Sequence, residues 1–278
     1  MKFKIVADSA ADMLTLDSVP FTSVPLKIST SEKEYVDVAS LNVDGMVADL
    51  LKYKGKSSTA CPGPGEWIEA FEDAECVFCV TITSNLSGSY NAACVAKDQY
   101  EKEHPGRKVY IVDSLSAGSE MWLLVEKLRE LILAGLDYET ICQKIATYNQ
   151  HTHMVFSLES IQNLANNGRV NPAIAKIVGL LGIRMVGIAE DGRLAQKDKS
   201  RGEKKAIGDV IKNMKEQGYA GGKVLIHHCQ NEPAAQNLKA QLLNEFPGAN
   251  IRIGKTRGLC SYYAEKGGLM VGCEDGQA

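Results

Sequence analysis

Apolar positions along residues 1–148 follow two alternating periods. Short β-like runs at 3–7, 76–82 and 109–112 alternate with stretches whose apolar residues recur at helical spacing. Val43, Met46, Val47, Leu50 and Leu51 mark a helix over 43–53, and Trp67, Ile68 and Phe71 mark another after the Gly63-Pro64-Gly65 break. Further helices follow at 88–102 and, with Met121, Leu124, Val125, Leu128, Leu131 and Ile132, at about 119–134. Gly135 stops the latter, and Asp137 caps a last helix that buries Ile141, Ile145 and Tyr148. Such alternation predicts a mainly parallel sheet with helices on both faces.

The second half has a different texture. Residues 158–183 are rich in Leu, Ile and Ala and poor in charge, with Leu158, Ile161, Leu164, Ile174, Ile177, Val178, Leu180, Leu181 and Ile183. They predict an apolar, helical entry to a second α/β unit. A hairpin around Glu190-Asp191-Gly192-Arg193, a helix at 202–216, strand 223–227, helix 233–245, strand 250–254 and a final helix near 261–267 follow. The expected organisation is two α/β domains, 1–150 and 151–278, joined across a soft boundary near 148–156.

Three apolar runs of the first half end in small polar side chains. Ile5-Val6-Ala7 leads into Asp8-Ser9, Val80-Thr81-Ile82 into Thr83-Ser84-Asn85-Leu86-Ser87-Gly88-Ser89, and Tyr110-Ile111-Val112 into Asp113-Ser114-Leu115-Ser116. Ligands of open parallel sheets bind beyond the carboxyl ends of the strands. A row of such ends predicts a site that works by hydrogen bonding rather than through a strong base or a metal. The middle run is the most informative, because a helix start beside it suits a carboxylate or phosphate. Ser87 capping that helix would leave Thr83, Ser84 and Asn85 unused, which favours ligand contact. No G-x-S-x-G elbow occurs, so no catalytic serine is assigned.

Composition narrows the classes. With 278 residues, 45% apolar, 23% charged and a net charge of −3, the chain gives no reason to expect nucleic acid or a strongly anionic membrane as its main partner. The apolar run at the N-terminus is too short for a signal peptide, and Ile177 to Ile183 is far short of a membrane span. A cytoplasmic protein is expected. Its eight cysteines are read as reduced core residues: Cys76 and Cys79 sit an odd number apart on one strand and point to opposite faces. His151 and His153 share a strand face, but no further ligand follows at metal spacing, and no metal is assigned.

Other motifs are weaker. Gly254-Lys255-Thr256 resembles the end of a phosphate loop, yet Ala249 stands where that loop needs glycine. The basic run Arg193, Lys197, Lys199, Arg201, Lys204 and Lys205 suits a solvated surface and an acidic or phosphate contact equally.

Taken in order, these segments resemble the DegV family of bacterial fatty-acid-binding proteins, which includes the lipid-carrying subunit of fatty acid kinase. The likeness rests on Val6-Ala7-Asp8-Ser9, on Ser58-Thr59-Ala60-Cys61-Pro62 for the family's K-T-S-Q-P, and on Thr83 through Tyr90 for S-S-x-L-S-G-T-Y. It continues through Asp113-Ser114 to Gly118, Asn167-Gly168-Arg169 for G-G-R, and Lys199 through Ala206 for a basic helix start. The resemblance implies a two-domain DegV-type (EDD) fold. A long-chain fatty acid would have its carboxylate held by Thr59, Ser87 and Ser84, with Asn85 and Thr256 nearby. Arg169, Arg201 and Arg257 would supply head-group or partner contacts, and the acyl chain would enter the second domain. Three departures stand out. The family's T-H-T-G-P-G reads Lys255-Thr256-Arg257-Gly258-Leu259-Cys260, which sets Thr256 at the family histidine; its Lys-Pro reads Arg184-Met185; and its first G of G-G-R is Asn167.

The function expected is therefore a non-enzymatic protein that hides an acyl chain and presents its carboxyl group to a fatty acid kinase catalytic subunit. No cofactor is implied besides the lipid, and membrane contact would be at most transient. The rivals are a small-molecule phosphotransferase using the Gly254 loop and a binder of another small carboxylate.

Overall fold

The structure is a computed structural model that describes residues 2–175, 178 and 182–278. Ile177, Leu180 and Leu181 of the apolar stretch lie outside the described residues. In chain order the first part runs β1 (Phe3–Asp8), β2 (Phe21–Val24), β3 (Lys27–Ser29), β4 (Glu34–Val36), α1 (Val43–Lys52), β5 (Ser58–Ala60) and α2 (Pro64–Phe71). It continues with β6 (Cys76–Thr81), α3 (Ser89–Glu103), β7 (Lys108–Asp113), α4 (Ser119–Leu133) and α5 (Tyr138–Tyr148). The second part runs β8 (Thr152–Leu158), α6 (Gln162–Asn166), α7 (Pro172–Ala175), β9 (Ile183–Glu190), β10 (Arg193–Arg201) and α8 (Glu203–Glu216). It ends with β11 (Lys223–His228), α9 (Glu232–Glu245), β12 (Asn250–Lys255), α10 (Gly258–Ala264) and β13 (Leu269–Glu274).

The first sheet has the order β2-β1-β6-β7 and every pair in it is parallel. Its central strands β1 and β6 are buried on both faces, as such sheets require. On β6, Val77 and Cys79 pack with Trp67, Phe71 and Tyr100 of α2 and α3. Phe78 and Val80 face the other way, into a cluster with Leu124, Leu128, Ile141 and Ile145 of α4 and α5. The strand period thus sends Cys76 and Cys79 to opposite faces. Asp137 caps α5 by accepting from Thr140 N at 2.8 Å.

The second sheet departs from strand–helix alternation. Its order is β10-β9-β8-β13-β11-β12, and only β11 and β12 run parallel. β8 and β13, which the apolar pattern does not flag as strands, fill its middle. The charge-poor segment begins as the end of β8 and contributes only the short α6 and α7 among the described residues. The final helix, expected near 261–267, lies at 258–264, because the chain turns at Gly267 (φ 92°) to enter β13.

α4 lies between the two sheets, which is why nine of its residues are buried. The approach to β13 is close enough that a Cβ at Gly272 would sit 2.6 Å from the Ser119 carbonyl carbon. A third sheet, β4-β3-β5, is antiparallel and small. It pairs Ile28 with Thr59 and so holds the latter in place.

Candidate functional site

A cavity of about 310 Å³ lies where β5, the loop after β6, the second sheet and α10 meet. Most of its wall is apolar: Leu26, Ile82, Met154, Phe156, Leu164, Leu194 and Met270 contribute. Polar groups reach it from four places. Thr59 comes from β5, Ser87 and Gly88 from the start of α3, Arg169 from the turn after α6, and Tyr263 from α10.

Two of these groups bond each other, and Arg169 belongs to a second hydrogen-bonded set beside them. Thr59 Oγ1 and Tyr263 Oη lie 2.7 Å apart. Burial raises the Tyr263 phenol above its ordinary range, while the bond to Thr59 and the Arg169 charge pull it down. Next door, Tyr262 Oη lies 2.7 Å from Ser57 Oγ and accepts from Asn167 Nδ2 at 2.8 Å. Arg169 donates through Nη1 to the Asn167 carbonyl, and its own N–H donates to Leu164 O at 2.8 Å. Three hydroxyls, of Thr59, Ser87 and Tyr263, and one guanidinium therefore sit against an apolar chamber. Such a set can orient a carboxylate while leaving the apolar wall to supply affinity.

The strand ends beneath the cavity are held by the Asp8-Ser9 pair. Asp8 accepts from Ser89 Oγ at 2.6 Å, Ile82 N at 2.9 Å and Ala10 N at 3.2 Å. Ser9 Oγ accepts from Leu26 N at 3.0 Å. One buried carboxylate thus joins the end of β1, the end of β6 and the start of α3. Its own burial outweighs those three donors and lifts it to about 6. Ser87 Oγ accepts from Ser89 N at 3.3 Å, just ahead of the Gly88 N-cap.

Of the residues singled out from the sequence, Thr59, Ser87 and Arg169 meet at this cavity, and the others lie elsewhere. Ser84 is exposed, and its N–H donates to Asp113 Oδ1 at 3.1 Å. Asn85 Nδ2 donates to Asp191 O at 2.9 Å, and Thr83 Oγ1 to Gly192 O at 2.9 Å, so both side chains hold the hairpin of β9 and β10. Arg201 is exposed at the end of the edge strand β10.

Thr256 is buried at the end of β12, where its Oγ1 lies 2.7 Å from Ser261 Oγ. Together with Arg257 it lines a separate, more polar cleft of about 620 Å³. The Arg257 guanidinium donates to Val38 O at 2.7 Å and stands 3.5 Å from the buried Asp37. Asp37 also accepts from Gly258 N and Leu259 N at 3.0 and 2.9 Å, and so anchors the start of α10. The physical reason for this placement is the path of the chain. β12 is an edge strand, not the last strand, and the chain returns through α10 to reach the middle of the sheet as β13. Gly254 is itself a strand residue paired with His227, not part of a phosphate loop.

Sequence reasoning missed Tyr263. The available signal was the adjacent Tyr262-Tyr263 pair in a seven-residue helix. His151 Nδ1 and His153 Nε2 both contact Asp275 Oδ2, at 3.0 and 3.4 Å. Among the described residues, no group of His, Cys, Asp or Glu is placed to hold a metal ion.

A family model described as "Uncharacterised protein, DegV family" matches residues 2–274. A DegV domain-containing protein of Streptococcus pneumoniae strain R6 is 43% identical over 279 aligned positions, which span 99% of each chain. Among solved structures, the fatty acid kinase (Fak) B3 protein of Streptococcus pneumoniae, loaded with linoleic acid, superposes with a TM-score of 0.97 at 43% identity, covering 99% of each chain. A DegV family protein from Eubacterium eligens loaded with heptadecanoic acid superposes at 0.96 with 40% identity, over 98% of this chain and 99% of that one.

Proposed function

We propose, from the premise that this chain belongs to the DegV family, that it binds one long-chain fatty acid in the 310 Å³ cavity. The observation that carries this reading is the join of an apolar chamber to a polar end built from Thr59, Ser87, Arg169 and Tyr263. The carboxylate would accept hydrogen bonds from Ser87 and from one member of the Thr59–Tyr263 pair, whose other proton lies between the two oxygens, with the Arg169 charge nearby, while the acyl chain lies against Met154, Phe156, Leu194 and Met270. Burial of about fifteen methylenes at ~0.8 kcal/mol each offers roughly 12 kcal/mol. That exceeds association costs on the order of 10 kcal/mol. Affinity then comes from the chain, and neutral donors suffice at the head group.

In this reading residues 1–150 supply Thr59 and Ser87, and residues 151–278 house the chain and supply Arg169 and Tyr263. The protein would present the carboxyl group to a fatty acid kinase catalytic subunit, which performs the phosphoryl transfer. The loaded Fak B3 relative supports that partner. A cytoplasmic setting accords with this role, and no helix among the described residues is long and apolar enough to cross a membrane.

The test is mass spectrometry of the organic extract of purified protein. One fatty acid of long chain per polypeptide is expected. An extract without fatty acid, from protein that also takes up no added palmitate or oleate, would sink the reading.

A further inference from the structure

The loop after β6 has two working faces, and only one of them belongs to the cavity. Ile82, Leu86, Ser87 and Gly88 line the chamber. Thr83 and Asn85, between them, turn away and grip a turn from the second sheet. That turn is Asp191-Gly192, the two-residue connection between β9 and β10. Both residues have positive φ, 49° and 75°, as a tight hairpin turn of this kind requires. Both of its carbonyls are taken: Asp191 O by Asn85 Nδ2 and Gly192 O by Thr83 Oγ1, each at 2.9 Å. The fit is close, since a Cβ at Gly192 would lie 2.4 Å from Thr83 Oγ1 and 2.7 Å from Asn85 Nδ2.

The hairpin is also a wall of the chamber, through Leu194. Met154 and Phe156 on β8, and Met270 on β13, belong to strands paired on both sides, whereas β10 is an edge strand paired with β9 alone. Moving β8 or β13 would break two ladders. Lifting the hairpin tip breaks two side-chain hydrogen bonds and the contacts of Ala189 and Leu194 with the core. An acyl chain lying against these walls leaves most readily if one of them moves, and among the strands of the second sheet that line the chamber this wall has the fewest ladder bonds to break.

We infer that Thr83 and Asn85 form a latch that holds the Asp191-Gly192 hairpin over the cavity and sets the rate at which the lipid enters and leaves. The inference rests on the reading of the cavity as a fatty-acid site. A latch acts on the barrier and not on the bound state, so its loss accelerates entry and exit together. A ligand contact, by contrast, mainly slows exit.

The experiment uses cis-parinaric acid, a fluorescent polyene fatty acid, with stopped-flow measurement of association and of displacement by oleate. Hydrogen exchange of backbone amides 189–195 is measured in the same proteins. Thr83→Val with Asn85→Ala should raise both rate constants about tenfold, the equivalent of roughly 1.4 kcal/mol of lost hydrogen bonding, and leave Kd within threefold. Exchange at 189–195 should quicken, and Ser84→Ala should behave as wild type. Unchanged hydrogen exchange in the double variant overturns the latch, and so does quickened hydrogen exchange with wild-type lipid kinetics. A faster exit without faster entry also overturns it, making the two residues ligand contacts. Failure of the wild type to take up the probe or any other fatty acid overturns the reading of the cavity instead.

Discussion

Thr59 Oγ1 and Tyr263 Oη stand 2.7 Å apart, although 204 positions of chain separate them. The pair closes the polar end of the cavity from two directions. Thr59 is fixed by the ladder between β3 and β5, and Tyr263 by a helix whose first N–H groups are held by Asp37. Neither hydroxyl needs to move to accept or donate, so the head-group site is preorganised.

Removal of single hydroxyls tests that site. Thr59→Ala and Ser87→Ala should each weaken fatty-acid binding by about 1–3 kcal/mol, as expected for hydrogen bonds to a charged group. The double change should cost more than either alone. Calorimetric titration with oleate reads the effect, with circular dichroism to confirm the fold. Wild-type affinity in the double variant would put the carboxylate elsewhere.

Tyr263 and Thr256 separate the two ways of routing the chain. Tyr263→Phe should weaken binding by about 1 kcal/mol and leave the fold intact, because only the hydroxyl at Thr59 is lost. Thr256→Val and Arg257→Gln should leave affinity within twofold. Their cost should appear in stability, at about 1 kcal/mol for the lost Ser261 bond and about 2 kcal/mol for Asp37 left without its cation. Urea titrations beside ligand titrations distinguish these outcomes. A large loss of affinity in either of the latter variants would return the head group to the cleft after β12.

Two buried carboxyls predict a particular pH dependence. Burial lifts Asp8 from an ordinary 3.8 to about 6 and Glu120 from 4.5 to about 7. Between the ordinary and the raised values the folded protein holds protons that the unfolded chain has released. These two groups therefore add stability as pH falls from about 8 toward 5, and their ionised forms cost stability above that window. Glu120 Oε1 accepts from Thr152 Oγ1 at 2.9 Å, an acceptor role that a glutamine oxygen can keep. The stability difference between wild type and Glu120→Gln should thus shift in favour of the variant as pH rises through 7. Parallel urea curves at pH 6 and pH 8 would argue against a raised Glu120.

Local pattern was enough for three of the four strands of the first sheet and for its helices, and it does not flag the edge strand β2. β1, β6, β7, α3 and α4 each carry an apolar period that burial on both faces of a parallel sheet demands, so their residues announce them without neighbours. The small polar residues at the strand ends, Ser87 among their neighbours, are legible in the same way, whereas Thr59 enters only through the likeness of its segment to a family motif. The three-residue strands β3, β4 and β5 are too short for any period to register. β8 and β13 exist as strands because each finds partners on both sides, and His151-Thr152-His153 or Leu269-Met270-Val271 says nothing of that alone. Thr83, Asn85 and Ser87 look alike in a sequence, yet successive residues of one loop point in different directions, and only packing against Asp191 and Gly192 assigns the first two to the hairpin. Tyr263 reaches Thr59, and Thr256 does not, because the chain leaves an edge strand and crosses back to the centre of the sheet. Long-range return of this kind is decided by which surfaces bury one another, a quantity that no local window of residues contains.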